Sequence, residues 1–160
     1  MSLHYFIDGY NLIWSADNFG GGPLQSQRER LLRFLEIARP AGSAVNQVMV
    51  VFDGREDVDS PPWRGSVRVV FSKGENADAV IKRNVDAMAN GRNAVVVTDD
   101  REIQRWVRAS KARVMSCGDF LKEALRKKAS RGSPNNVATK STLDAIDQIN
   151  EEFRRLWQKD

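Results

Sequence analysis

The feature that most constrains this chain is an alternation of short β-branched runs with longer amphipathic stretches. Leu3–Ile7, Gln47–Phe52 (QVMVVF), Val67–Phe71 (VRVVF) and Asn93–Thr98 (NAVVVT) have strand length, and Ala112–Ser116 (ARVMS) reads as a weaker fifth strand. Helical spacing separates them. Gln25–Arg39 carries Leu31, Phe34, Leu35 and Ala38, and Asn76–Ala89 carries Ala77, Val80, Ile81, Val85 and Met88. Asp100–Ser110 carries Ile103, Trp106 and Val107, and Asp119–Ala129 carries Phe120, Leu121, Ala124 and Leu125. Strands separated by helices predict an α/β fold, with a parallel sheet covered by helices on both faces.

With 160 residues, 41% of them hydrophobic, the chain is long enough for one domain with its own core. We expect that domain over residues 1–129 and a polar linker over 130–140 (SRGSPNNVATK). A last helix is expected over 141–160, with Leu143, Ile146, Ile149, Phe153 and Trp157 on one stripe, packed on the domain or on a partner. No apolar run is long enough for a membrane span, and MSLHYFIDG lacks the basic start and cleavage site of a signal peptide. Cys117 is the only cysteine, which excludes an internal disulfide and suits a reducing cytoplasm. His4 is the only histidine, so a multi-histidine metal site is excluded and the composition argues against histidine-dependent catalysis. Neither GxxxxGK[ST] nor GxGxxG occurs, so no nucleotide-cradling loop is indicated.

The net charge of +4 is uneven. Arg101 to Arg131 holds ten basic and three acidic residues, a local +7 that leaves −3 for the remainder. Such asymmetry fits an anionic partner, nucleic acid first, or simply a solvated basic face.

The acids fall in a pattern. Asp8 ends the first strand, Asp53 the second, and Asp99 and Asp100 the fourth, while Asp78 lies in the first turn of the helix after the third. Parallel α/β sheets bind ligands beyond the carboxyl ends of their strands, so these acids gather at one edge. Carboxylates held together stay ionised only beside a cation, and hard oxygen donors select Mg²⁺ or Mn²⁺. Such an ion can activate water against a phosphodiester without histidine. Each acid also has a structural reading: Asp100 as a helix N-cap, Asp53-Gly54 as a turn. Two other α/β classes fail locally. A receiver-type domain wants an acid pair after strand one, and a haloacid-type phosphatase wants Asp-x-Asp where this chain has Asp8-Gly9-Tyr10.

FIDGYNLI at 6–13, VVFDGR at 50–55, VVFSKGENADAVI at 69–81 and VVVTDDREI at 95–103 together resemble the NYN domain, in particular its bacterial YacP-like branch, which includes ribosome-associated ribonucleases. The resemblance covers about residues 3–129. It implies a PIN-like three-layer fold, strand order 3-2-1-4-5, and a metal-dependent endoribonuclease site. By the same resemblance Asp8, Asp78 and Asp100 are the acidic metal positions. Asn11 is expected to orient Asp8 or contact the scissile phosphate, and Asp53 to support the site. The chain departs from the pattern at Asp99, where relatives often have Ser or Asn, and at Ala79, where they often have a second acid. Asp99 is therefore a further candidate ligand. One tightly bound Mg²⁺ or Mn²⁺ is expected, and a second is left open.

Substrate contacts should flank the acids. Arg101, Arg105 and Arg108 recur at helical spacing and can form a phosphate stripe. Lys82 and Arg83 follow Asp78 by one turn, with an Asp78–Lys82 ion pair as the structural alternative. Trp14 and Trp63, in or near loops at the same edge, are candidate base-stacking residues. The expected activity is endoribonucleolytic hydrolysis of RNA, with single-stranded mRNA as substrate and the ribosome as a possible partner. The competing reading is a non-catalytic RNA- or ribosome-binding module on the same fold.

Overall fold

A computed structural model describes residues 2–16, 19–38, 46–55 and 62–132. The five strands are β1 (His4–Asp8), β2 (Gln47–Phe52), β3 (Arg68–Phe71), β4 (Ala94–Val97) and β5 (Arg113–Met115). They form one sheet in the order β3-β2-β1-β4-β5, with every pairing parallel. The expected fold class and strand order are both observed. The helices are α1 (Gly9–Trp14), α2 (Leu24–Ala38), α3 (Ala77–Asp86), α4 (Arg101–Ala109) and α5 (Cys117–Gly132).

Alternation along the strands sorts side chains into two cores, as a pleated sheet requires. Tyr5, Ile7, Val50, Phe52, Val95 and Val97 face one cluster, completed by Leu12 and Ile13 of α1, Leu31 and Leu35 of α2, and Phe120 and Ala124 of α5. Phe6, Met49, Val51 and Val96 face the other, completed by Ala77, Val80 and Ile81 of α3 and by Ile103 and Val107 of α4. All four residues of β4 are buried, which explains its unbroken apolar sequence.

Helix α1 is absent from the sequence reading. Its six residues are too few to display a period, and they begin on a glycine. That glycine has a packing reason. A Cβ on Gly9 would collide with the Phe52 ring, so only glycine lets the chain turn from β1 into α1 across β2. Helix α5 continues to Gly132, so residues 130–132 of the expected linker are helical. The rest of that linker and the expected helix over 141–160 lie outside the described residues. No helix among the described residues is long and apolar enough to cross a membrane.

Candidate active site

β1 lies at the centre of the sheet, and the register puts Asp8 level with Val51 of β2. Asp8 is only 9% exposed, and although it stands at the N-cap of α1 its side chain makes no capping hydrogen bond. Burial pushes its carboxyl up to about 6. The Asn11 backbone N–H, in the first turn of α1, works against this, while the charges of Asp78, Asp100 and Asp53 add to it. Asp78, half-buried, is likewise raised, by burial first and then by Asp100, with Lys82 opposing and Glu102 and Asp53 adding. The charges of Asp78, Asp100 and Asp53 thus act on Asp8, and those of Asp100 and Asp53 on Asp78, at the carboxyl edge of the sheet.

Local structure fixes each acid. Asn76 caps α3 by accepting from the Ala79 N–H at 2.9 Å, which sets Asp78 in the first turn. Asp100 caps α4: its Oδ1 accepts from the N–H groups of Glu102 at 2.8 Å and Ile103 at 3.3 Å. The Asp100 N–H in turn donates to Thr98 Oγ1 at 3.1 Å, and Thr98 is fully buried. Asp100 thus has the capping role and also contributes charge to the cluster. Asp53 is exposed and accepts from buried Ser72 at 3.1 Å, while the Gly54 N–H donates to the same Ser72 Oγ at 2.9 Å. It ties the end of β2 to the end of β3, which suits a supporting place.

The Asp99 charge is not among those that act on Asp8 or Asp78. Its Oδ1 accepts from the Cys117 N–H at 2.9 Å, at the start of α5. Its own N–H donates to Asn11 Oδ1 at 3.0 Å, and the Cys117 thiol lies 3.8 Å from that same oxygen. The three residues close a ring joining α1, the β4–α4 turn and α5. Asn11 therefore spends its side-chain carbonyl on the β4–α4 turn, and its amide nitrogen is the group that would donate to Asp8 or to a phosphate. Burial, then the charges of Asp99 and Asp8, push the Cys117 thiol up to about 12.

The basic candidates divide. Arg101, Arg105 and Arg108 are exposed on one side of α4 and make no hydrogen bond or ion pair among the described residues. Lys82 Nζ lies 5.7 Å from the centre of the Trp106 ring, so it leans towards α4. Arg83 is taken up by Glu75, with contacts of 2.6 and 3.1 Å, and does not stand free beside Asp78.

The two tryptophans also part. Trp14 is the last residue of α1, is 72% exposed, and stacks on Tyr10 at 5.6 Å. Trp63 is not at the acidic edge. It precedes β3, is partly buried, and donates from Nε1 to Glu36 near the end of α2 at 3.2 Å. Strand β3 starts beyond it, so Trp63 belongs to the amino-terminal edge of the sheet. Proximity in sequence to Asp53 misleads because the chain crosses the length of the sheet between β2 and β3.

One feature of this edge escapes the sequence reading. Buried Arg28 donates to the Tyr10 hydroxyl at 3.0 Å and stands 5.5 Å over the Phe71 ring, linking the Trp14–Tyr10 stack to β3. The available signal was a charge on the Arg28, Leu31, Leu32, Leu35 stripe of α2, where a solvated arginine would not sit.

In donor chemistry, though not in spacing, the acidic edge suits a hard divalent cation. It offers carboxylate oxygen only, and Asp8 is a buried carboxylate that burial and repulsion push towards neutrality. As placed, no group of three His, Cys, Asp or Glu side chains among the described residues is drawn together tightly enough to hold an ion.

A search of curated proteins finds no match. Among solved structures, the crystal structure of Rae1 (YacP) from Bacillus subtilis is similar with a TM-score of 0.67 and 20% identity, covering 100% of this chain and 97% of that one. A tryptophan-to-leucine variant of the same protein gives 0.61 at 20% identity, covering 98% and 99%. At that identity the likeness establishes the fold. The sequence profile described as the YacP-like NYN domain matches residues 5–159, further than the motifs at 6–103 reach. The chain therefore belongs to the YacP-like NYN family, a family of nuclease-type domains.

Proposed function

We propose that this protein is a metal-dependent endoribonuclease acting on single-stranded RNA, with ribosome-associated mRNA as the natural form of the substrate. The observation that carries the reading is Asp8: buried at the end of the central strand and raised to about 6 by burial and by its acidic neighbours. A carboxylate kept in that condition costs stability and is understandable as a ligand. Asp8, Asp78 and Asp100 would hold Mg²⁺ or Mn²⁺, one ion tightly. When bound, the ion supplies charge neutralisation at the phosphate and a water of lowered pKa.

The chain's own residues do the remaining work. The Asn11–Asp99–Cys117 ring holds the β4–α4 turn, and with it Asp100, against β1. Trp14 offers an open aromatic face for an unpaired base at the far end of the short helix that follows Asp8. The stripe Arg101, Arg105 and Arg108 offers cations for phosphates leading away from the site. Hydrolysis by water should leave 5′-phosphate and 3′-hydroxyl ends. A ribosomal partner and a cytoplasmic location go with this reading.

The loose placement of the acids favours one alternative, a binding module that retains the fold without cleavage. Purified protein incubated with end-labelled RNA and Mn²⁺ or Mg²⁺, with and without translating ribosomes, separates the two. The nuclease reading expects cleavage that EDTA and Asp8→Asn abolish while RNA binding persists. Binding without cleavage on either substrate would establish the module instead.

A further inference from the structure

A second binding region lies away from the acids, between α2 and the face of β3. It is a groove of about 660 Å³, within the range of small-ligand pockets. It exists because β3 is the edge strand and α2 does not fully cover it. Val69 and Phe71 therefore pack on the core while remaining only partly buried. Trp63 closes the far end. Glu36 anchors it there. Burial alone would raise that carboxyl, but hydrogen bonds from Ser66, Val67 and Trp63 hold it below its ordinary value.

The charge of the lining is one-sided. Arg28, Arg33 and Arg68 face the groove against the single acid Glu29. Arg33 and Arg68 are exposed and make no hydrogen bond or ion pair among the described residues. An apolar and aromatic floor with cations at the rim suits an unpaired nucleobase joined to a phosphate.

The groove is continuous with the site. Phe52 and Phe71 line it, and each is followed directly by the residue that meets at the acidic edge, Asp53 and Ser72. Arg28 joins them to the Trp14–Tyr10 stack. β3 is two strand spacings from β1, so the mouth of the groove is roughly 10 Å across the sheet from Asp8.

We propose that this groove is a secondary subsite for single-stranded RNA, taking bases along the floor that runs from Phe71 to Trp63 and a phosphate on Arg33 and Arg68. The proposal rests on the ribonuclease reading and deepens it: the substrate is gripped on the α2–β3 side as well as on α4.

The test measures binding of an end-labelled oligouridylate by fluorescence anisotropy in EDTA, so that cleavage plays no part. The double variant Arg33→Glu/Arg68→Glu should weaken binding at least tenfold, and Arg33→Lys/Arg68→Lys should retain most of it. Arg92→Glu/Lys111→Glu carries the same charge change on exposed residues elsewhere and should lose much less. Cross-linking with thiouridine-substituted RNA should label peptides containing Trp63 or Phe71. Equal losses in the two charge-reversal variants, or cross-links confined to α4, would overturn the subsite and leave the nuclease reading intact. Failure of the wild-type protein to bind RNA at all would overturn both.

Discussion

The Asp99 N–H donates to the side-chain carbonyl of Asn11 at 3.0 Å, across 88 positions of sequence. This hydrogen bond brings the end of β4 against the first turn after β1. It makes Asn11 a positioning residue for the acidic edge, and it separates the roles of the two adjacent aspartates.

Asp99 and Asp100 should therefore respond differently. Asp99→Asn keeps an acceptor for the Cys117 N–H and should leave cleavage within about tenfold, a change of about 1.4 kcal/mol or less in the barrier. Asp100→Asn keeps the α4 cap but removes charge from the cluster, and should abolish metal-dependent cleavage with little loss of thermal stability. Comparable loss in both variants would show that Asp99 is a ligand.

Asn11→Ala removes the acceptor for the Asp99 N–H. We expect a loss of about 1 kcal/mol in stability, of the size of one hydrogen bond, and a larger proportional loss of cleavage because Asp100 is no longer fixed. Thermal denaturation beside single-turnover cleavage measures the two.

Asp8 predicts a pH dependence of stability. Its folded-state pKa, about 6, lies above its unfolded value, so ionisation opposes folding. The protein should be most stable, with respect to this group, below about pH 4, and should lose that stability as pH rises through about 6. A shift of about two units corresponds to roughly 3 kcal/mol as an upper bound. Asp8→Asn should accordingly raise Tm at neutral pH, with little effect near pH 4. Mg²⁺ should raise the Tm of the wild type more than that of the variant. Calorimetry across this pH range checks both signs.

Trp14→Ala should weaken binding of single-stranded RNA by about 1–3 kcal/mol without lowering Tm, since the ring is largely exposed. Replacing Arg101, Arg105 and Arg108 by Ala should flatten the salt dependence of RNA affinity by about 0.7 in logarithmic slope for each phosphate no longer neutralised. Titrations at several salt concentrations separate stacking from charge.

Cys117 should be inert. Its buried thiol, raised to about 12, should resist iodoacetamide at about pH 8 in the folded protein and react on unfolding. Mass spectrometry of protein labelled before and after denaturation reads this directly.

Much of the architecture was legible because strands buried on both faces must be apolar without interruption, as QVMVVF and AVVV are. The acidic edge was legible for a related reason: in a parallel sheet every strand end falls on the same side. What stayed hidden depends on residues distant in sequence. Nothing local to Trp63 says that Glu36 binds it, and nothing local to Asp99 says that Asn11 and Cys117 do. α1 was hidden by its length, and the Glu75 grip on Arg83 by the turn at Lys73 and Gly74, which have φ of 50° and 89°.

The central place of β1 carries a consequence for biosynthesis. β1, made before the other four strands of this sheet, is flanked by β2 and by β4, and β4 begins only at Ala94. A nascent chain that stops short of it holds Asp8, Asp53 and Asp78 but lacks Asp100 and leaves one edge of β1 bare. The residues of the acidic edge can be assembled only late in synthesis, so on the proposed ribonuclease function a chain truncated before β4 should be unable to cut RNA.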